Sequence, residues 1–346
     1  MTHHQVIRGA EDMKDWQHVL QKLAALLLKK EEGTKYYDLK RYFILREIQG
    51  VSEDDPEVLT LQKMLVQHIL SQQLENGSWN NKVYNYQEGT THQVMNLVDL
   101  GLDAADESIK KAVDYMFTFQ AAHGPFIQDV PSCGVEANLV VTNAAAMALS
   151  RAGYADDLRV KSAYEWLCTF QQDDGSWLSP NAQKRKETGG YPYCYCGLHA
   201  TCNILRGVSA SKYMRTSKAA HNGAEYLLQL CGFKYPIEKD ATIEPPLYRF
   251  MGEDLIPFEG AWYDPRIVPP EVGPIPPQER DRKIEVWTTQ HVLGSLCVLG
   301  YGLDNEKVRK GHDRLLQLVG SDITMETIMA LKGLHESFSA FSFHGH

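Results

Sequence analysis

The strongest constraint on the fold of this chain is a short motif that recurs along it. A glutamine is followed four residues later by glycine and six residues later by an aromatic residue in three segments, 73–79 (QLENGSW), 120–126 (QAAHGPF) and 171–177 (QQDDGSW). The copies begin 47 and 51 residues apart. Self-similarity at such a period is typical of helical repeat proteins, in which each unit buries its apolar face against the next.

The residues before each motif repeat one helical face. The apolar positions follow i, i+3, i+4, i+7 spacing, and they are Ala112, Tyr115, Met116 and Phe119, then Ala163, Trp166, Leu167 and Phe170, then Gly223, Tyr226, Leu227 and Leu230. After the last set Cys231 replaces the glutamine, which makes a decayed fourth copy. We expect the glycine to end the helix at positive φ and the glutamine to bond orphaned backbone groups. The aromatic residue should pack beneath and lock neighbouring repeats together.

Periodicity divides the chain into six pairs of helices. They are 11–30 with 35–49, 56–74 with 90–101, 107–121 with 135–153, 156–172 with 196–207, 214–231 with 285–300, and 304–319 with 323–338. The first member of each pair is amphipathic and the second more uniformly apolar, as expected of outer and inner helices. The sequence therefore predicts an all-α fold, an (α/α)6 toroid, formed by residues 1–346 as one domain.

The motif with its preceding aromatic–Leu helix end resembles the QW motif of squalene and oxidosqualene cyclases. It is similar also to the helical repeats of protein prenyltransferase β subunits. The resemblance covers most of the chain as repeat architecture. It implies a toroid whose inner helices line a pocket for an isoprenoid.

Bulk properties exclude some functions. A net charge of −9 and a pI near 5.8 argue against nucleic-acid binding, which favours basic surfaces. The apolar run 23–28 is too short to cross a bilayer, so we expect no transmembrane segment. Seven cysteines without a signal-like N-terminus favour reduced thiols and a cytoplasmic protein.

Two irregular insertions interrupt the pattern, 178–195 and 232–284. The second contains ten of the 15 prolines and several aromatic residues, a composition unlike that of a solvated linker. Long insertions in compact domains are usually lids, binding loops or docking surfaces. We expect both at one rim, partly covering the cavity, with 232–284 as a candidate surface for a protein partner. Packing on the outside of the fold is the alternative.

One stretch has the composition of a metal site. Cys196, His199 and Cys202 fall at i, i+3 and i+6 of a predicted inner helix, roughly on one face. Three such ligands could hold zinc. Protein prenyltransferases hold zinc through an Asp-x-Cys pair and a histidine, but the aspartate is missing here, so no ligand is carried over from them. The alternative is that these cysteines are buried without a metal.

Two histidines occupy matching positions. His92 lies nine residues before Gly101 and His291 nine before Gly300, each shortly after a Thr-Thr pair. We expect both imidazoles at one level of the lumen, where a histidine can act as a general base or ligate a metal. The alternative is a core histidine bonded to a backbone carbonyl.

Acids and aromatic residues near the predicted rim complete the candidate site. Glu88 and Glu285 lie near the N-terminal ends of inner helices, where the anion is stabilised and suits a base or cation stabiliser. Helix capping is the alternative for both. The candidate substrate-binding residues share an aromatic ring that can stabilise a carbocation, although packing is the commoner use; they are Tyr86, Tyr193, Tyr195, Trp262 and Trp287.

The sequence thus favours an enzyme acting on an isoprenoid or other apolar substrate by cyclisation, isomerisation or prenyl transfer. It has neither the Asp-x-Asp-Asp acid of squalene cyclases nor an Asp-Asp-x-x-Asp diphosphate site, so the reaction type stays open. A non-catalytic binding or scaffold toroid is one alternative. A carbohydrate-active toroid of the polysaccharide lyase kind is another.

Overall fold

The fold is built almost entirely from helices. The computed structural model is 65% helix with few strands. It describes residues 10–85, 88–128, 138–178, 197–234, 237–240, 247–250, 255–264 and 277–335.

Both members of all six predicted helix pairs are present. The first members are α1 (Ala10–Glu31), α3 (Pro56–Leu70), α5 (Glu107–Phe117), α7 (Leu158–Cys168), α10 (Lys218–Gln229) and α12 (Glu306–Leu318). The second members are α2 (Tyr37–Phe43), α4 (Thr90–Asp99), α6 (Leu139–Leu149), α8 (Gly197–Ser209), α11 (Pro277–Cys297) and α13 (Met325–His335). A short helix, α9 (Lys212–Arg215), precedes α10, and π-helical turns Ile44–Ile48 and Ser150–Tyr154 extend α2 and α6.

Capping residues define where the first members begin. The side chains of Asp55, Asp157, Ser217 and Asn305 accept hydrogen bonds from backbone N–H groups in the first turns of α3, α7, α10 and α12. These bonds satisfy donors that a helix leaves without a partner. Pro56 is well suited to the first position of α3, because the N–H that proline lacks would have no partner within the helix there.

Burial separates the two members of a pair. In α6 nine of the 11 residues are buried, whereas α5 buries only four of its 11. The amphipathic first members therefore cover the apolar second members. None of the helices in the described part of the chain combines the length and apolar character needed to cross a bilayer.

Helix contacts follow chain order and return to the start. Successive second members touch from α4 to α6, α8, α11 and α13, and α13 in turn touches α1. Lys332 Nζ lies 3.2 Å from Glu47 Oε2, and Lys30 Nζ donates to the carbonyl oxygen of Ile323 at 3.4 Å. The last helix pair is therefore joined to the first.

The motif glutamines link each repeat to the next. In all three copies the side-chain amide donates to the carbonyl of the motif glycine and to a carbonyl in the first turn of the following outer helix, at 2.7–3.0 Å. The outer-helix acceptors are Ser108, Arg159 and Ala219. The predicted role of the glutamine is confirmed, and the bond also fixes where the next outer helix lies.

The motif glycines are required for close approach rather than for ending the helix. Helices α3, α5 and α7 end before the glutamine, so the predicted ends at 74, 121 and 172 were too late. Gly77, Gly124 and Gly175 have φ between 85° and 103° in the turn beyond. A Cβ at any of them would lie 2.3 Å from a carbonyl oxygen of the next outer helix. Only glycine permits both the positive φ and this approach.

The hydrogen bonds of the motif aromatic residues join the two helices of one pair, and the predicted contact with the next repeat is seen at Trp177, whose ring lies against Gly223 of α10. The indole Nε1 atoms of Trp79 and Trp177 each donate at 2.9 Å to a carbonyl of the preceding outer helix. The backbone N–H groups of Trp79, Phe126 and Trp177 donate to the hydroxyls of Thr90, Thr142 and Thr201 on inner helices. Each tryptophan thereby bonds to both the outer and the inner helix of its pair, whereas Phe126 bonds to the inner helix.

Trp262 completes the fourth, decayed copy. Its Nε1 donates to the Leu227 carbonyl at 2.7 Å, the bond that the other motif tryptophans make. It is 0% exposed, and a Cβ on Gly311 would lie 2.2 Å from its ring. The structure therefore places it in the scaffold, in contrast to the expectation that it binds substrate.

The second insertion is partly regular. Strand β2 (Phe233–Lys234) pairs antiparallel with β5 (Ile256–Pro257), and β3 (Ile237–Asp240) pairs antiparallel with β4 (Leu247–Phe250). Helix α11 begins at Pro277, eight residues before the predicted start at 285. Of the first insertion, only Leu178, in strand β1 (Trp177–Leu178), lies inside the described residues.

Replacing Gln171 by alanine tests the link between repeats. We expect the free energy of unfolding to fall by about 1–2 kcal/mol, because the carbonyls of Gly175 and Ala219 lose their donor. Urea unfolding measures the change. The control is Gln172→Ala, because the Gln172 side chain donates to the Phe170 carbonyl two residues away and the variant should lose less than about 0.5 kcal/mol. Equal losses in the two variants would contradict the linking role.

A histidine pair closes the seam between the first and last helices. Trp16 on α1 stacks on His335 with ring centroids 3.7 Å apart, and His335 Nε2 lies 2.9 Å from His312 Nε2. Burial, together with the neighbouring His312, lowers the pKa of His335 to about 4. Burial also lowers the pKa of His312, although Asp313 opposes the shift.

The histidine pair predicts acid sensitivity. Between pH 6.5 and about 4 the unfolded chain binds a proton at His335 that the folded chain does not. The contribution of His335 to stability is therefore fully present above pH 6.5 and is lost as the pH falls towards 4. We expect a loss of about 1–2 kcal/mol, allowing for partial solvent screening. Urea unfolding at several pH values measures the slope. His335→Gln should have a shallower slope, and an unchanged slope would refute the assignment.

Candidate functional site

Helix α6 has one face that its neighbours leave uncovered. It contacts α4, α7 and α8, which account for three sides. Its two incompletely buried residues are Val140 and Met147. Seven residues apart, they lie on the same helical face. This face therefore borders space that the neighbouring helices do not fill.

Helices α8 and α11 have similar faces. Helix α8 contacts α6, α10 and α11, and beyond its first residue only His199 and Asn203 are incompletely buried. From Ile284 to Val298 on α11, Trp287 is the one incompletely buried residue, and His291, 8% exposed, lies one turn further on. Three inner helices in succession thus carry a few partly accessible side chains among otherwise buried residues.

The structure brings three of the predicted site residues together. The rings of Trp287 and His291 are nearly parallel, with centroids 5.6 Å apart, and the His199 ring lies 6.5 Å from His291 in an edge-on arrangement. His92 is partly buried in the first turn of α4, two inner helices away from α8. The ring close to His291 is therefore that of His199, and the common level of His92 and His291 in the lumen stays a prediction.

A charged pair lies next to His291. The guanidinium of Arg206, on α8, contacts the carboxylate of Glu326, on α13, and both side chains are at least nine-tenths buried. Arg206 Nη2 also donates to the His291 carbonyl at 3.3 Å, and His291 Nε2 lies 3.7 Å from Glu326 Oε2. We refer to Arg206, His291 and Glu326 as the buried triad.

Sequence reasoning missed two of the three members of the buried triad. The available signal was a single charge inside an apolar inner helix, in the stretches 203–208 (NILRGV) and 325–330 (METIMA). A buried charge requires a partner because desolvation is costly. Each of these residues should therefore have been expected to pair, although the sequence does not say with which.

Hydrogen bonding determines which nitrogen of His291 is available. Nδ1 lies 2.7 Å from the Trp287 carbonyl oxygen, which can only accept, so Nδ1 carries the hydrogen. Burial lowers the pKa of His291; the Glu326 carboxylate opposes this shift and Arg206 adds to it. The ring is therefore neutral at pH 7, with the lone pair on Nε2. His291 is therefore bonded to a backbone carbonyl, as the alternative interpretation held, and its Nε2 can also accept a proton.

The described residues do not form a zinc site. Cys202 is 0% exposed, and burial raises the pKa of its thiol to about 12. Its neighbour His199 faces His291 instead. Within the described part of the chain no three His, Cys, Asp or Glu side chains are grouped to hold a metal. Cys196, the third predicted ligand, lies outside the described residues.

The two predicted glutamates have other surroundings than expected. Both oxygens of Glu285 bond to Arg314, at 2.7 and 3.0 Å, and Glu285 accepts from the Ala261 N–H at 3.2 Å. Glu285 therefore holds the turn before Trp262 rather than facing a substrate. Glu88 is exposed just before α4. Tyr86, Tyr193 and Tyr195 lie outside the described residues.

Comparison with known proteins places the chain in a family. Residues 44–226 match the squalene-hopene cyclase C-terminal domain, over just more than half of the chain. A solved structure described as "Crystal structure of a protein from Actinoplanes" aligns with a TM-score of 0.43 and 13% identity, over 88% of this chain and 71% of that one. The search of curated proteins gave no match. Because the matched residues contain all three complete motifs, the chain belongs to the squalene-hopene cyclase C-terminal domain family, part of the terpenoid cyclase and prenyltransferase superfamily.

Proposed function

We propose that this protein is an enzyme of the terpenoid cyclase and prenyltransferase kind. Its single domain is an (α/α)6 toroid, and an isoprenoid or similar apolar substrate binds in the central cavity. The family supports the substrate class, and the contacts of α13 with α1 support ring closure. The observation that carries the proposal is the uncovered face of α6, α8 and α11.

The residues on this face suit a carbocationic reaction. Val140 and Met147 present apolar surface, and the half-buried Trp287 presents an aromatic ring. Aromatic faces attract cations without reacting with them. The neutral His291 beside Trp287 provides a proton acceptor. His92 is a second candidate base on the same lumen.

Product analysis tests this function directly. The purified protein is incubated with squalene and, in parallel with magnesium, with prenyl diphosphates of increasing length, and the extracts are analysed by gas chromatography and mass spectrometry. We expect at least one substrate to give a cyclised, isomerised or prenyl-transferred product. Absence of both turnover and binding in folded protein would refute the proposal. Binding without turnover would instead select the binding-protein alternative.

A steric variant localises the reaction to the cavity. Met147→Phe enlarges a side chain on the uncovered face of α6, and we expect it to alter the products or lower turnover at least tenfold. Met64→Phe is the matched control, because Met64 on α3 is 43% exposed. Equal effects of both substitutions, or of neither, would contradict a cavity on this side of α6.

A further inference from the structure

On the basis of this proposed function, we propose that the buried triad ends the reaction by removing a proton. His291 Nε2 is the catalytic base, and Arg206 and Glu326 are its positioning residues. The triad thereby narrows the chemistry to cyclisation or isomerisation, in which a carbocation formed earlier from the isoprenoid loses a proton and gives a new alkene. Prenyl transfer to a thiol and capture of the cation by water are the alternatives that this assignment disfavours.

The step transfers one proton from the carbocation to His291. The substrate-derived carbocation has a C–H bond next to its cationic carbon, and the electron pair of that bond becomes the π bond of the alkene. The proton moves to Nε2 and forms an imidazolium. No other reactant is needed, because the positive charge passes from the substrate to the histidine.

The position of His291 suits this step. Nδ1 is occupied by the Trp287 carbonyl, so Nε2 is the ring atom that accepts the proton. The Trp287 ring lies beside His291 on the uncovered face of α11, where it can hold a cation within reach. The His199 ring lies edge-on to the His291 ring, with centroids 6.5 Å apart, and limits where the substrate can approach.

Arg206 and Glu326 keep the base neutral before the step and stabilise it afterwards. A carboxylate 3.7 Å from Nε2 would by itself favour a protonated ring, which cannot accept another proton. Arg206 offsets this effect because it pairs with the other carboxylate oxygen and donates to the His291 carbonyl. Once Nε2 is protonated, the nearby Oε2 stabilises the imidazolium. The triad is uncharged overall at rest and carries one positive charge after transfer.

Other titratable groups pack around the triad. His199 faces His291 from α8, and Cys202 on the same helix interacts with Arg206 and Glu326. Burial keeps that thiol protonated by raising its pKa to about 12. Asp264, 2% exposed, acts on Cys202 from the loop before α11. A measured titration must therefore be assigned to His291 itself rather than to this group as a whole.

The first test uses the unmodified full chain without substrate. Nitrogen-15 NMR of labelled histidine, with His291→Asn to assign the signal, reports the protonation of each ring nitrogen. We expect His291 to be neutral at pH 7 with the hydrogen on Nδ1. An imidazolium at pH 7, or a hydrogen on Nε2, overturns the assignment. This readout does not depend on turnover, so it can fail while the proposed function stands, and the converse also holds.

The second test uses pH profiles of turnover. We expect His291→Asn to lower kcat by about 10²–10⁴ with KM changed less than about threefold. Glu326→Gln removes the carboxylate that favours a protonated ring and should move the acid limb of the profile down by about one pH unit. Arg206→Lys retains the positive charge and should keep the limb within about 0.3 units.

The matched control is Arg151→Gln. It breaks another ion pair, which joins Arg151, in the turn after α6, to Asp99 on α4. It should lower stability without moving the acid limb. If Glu326→Gln does not fold, the NMR measurement and the His291→Asn kinetics still decide. Retention of kcat in His291→Asn, or an equal shift of the limb in Arg151→Gln, overturns the proposal.

Discussion

Replacing Trp177 by alanine is expected to lower the free energy of unfolding by about 3–5 kcal/mol. The side chain is 0% exposed, and its Nε1 donates to the Leu167 carbonyl at 2.9 Å. The Gly223 backbone packs so closely on the ring that a Cβ there would lie 2.5 Å from it. Alanine would leave a cavity between α7 and α10 and an unpaired carbonyl. Urea unfolding followed by circular dichroism measures the loss.

Two further substitutions separate packing from hydrogen bonding at this position. Trp177→Phe keeps most of the packing but loses the indole donor, so we expect the free energy of unfolding to fall by about 1–2 kcal/mol. Trp166→Ala removes a partly buried tryptophan from α7, the helix to which the Trp177 indole bonds, and it should lower the free energy of unfolding less than Trp177→Ala does. If Trp166→Ala proved as damaging as Trp177→Ala, the motif aromatic would not have the structural role assigned to it.

Replacing Arg206 by methionine should also lower the free energy of unfolding by about 3–5 kcal/mol, in this case for an electrostatic reason. Glu326 is buried on α13, and the substitution removes the Arg206 guanidinium that contacts its carboxylate and offsets its desolvation. The carboxylate should then become protonated, and the loss should be smaller at low pH. Thermal and urea unfolding at pH 7 and pH 5 measure both effects.

The double variant Arg206→Met, Glu326→Leu separates the charge from the packing. Replacing both members with apolar side chains of similar size removes the uncompensated charge, so we expect most of the stability to return. The double variant should nevertheless remain catalytically impaired if the buried triad sets the proton affinity of His291. A double variant no more stable than Arg206→Met would show that shape, not charge, governs this site.

The helix pairs were predictable because the motif that marks them uses local contacts repeated at each copy. The glutamine, glycine and aromatic residue interact within one turn and with the three helices next to it. The helix ends were less predictable, because α7 stops at Cys168 although the apolar stripe continues to Phe170. Trp262 was misassigned because the insertion separates it from Cys231 by 31 residues, which conceals the motif spacing.

The candidate site was only partly predictable, because it depends on contacts between helices distant in sequence. Matching positions identified His291 as a lumen candidate, but His199 was considered only as a metal ligand. The proximity of their rings follows from the packing of α8 on α11. Arg206 and Glu326 are 120 residues apart, and no spacing rule connects them. Tertiary packing alone determines which buried charges become partners.

The glutamine bonds between repeats have a consequence for how such proteins diversify. Gln73 reaches its acceptor carbonyl across 35 residues of chain, Gln120 across 39 and Gln171 across 48, yet the bonds have nearly equal lengths. The two ends of each inner segment are thus anchored at the same places, whatever the amount of chain between them. Evolution can lengthen or replace these intervening segments, and thereby reshape the lumen, without moving the surrounding ring of outer helices.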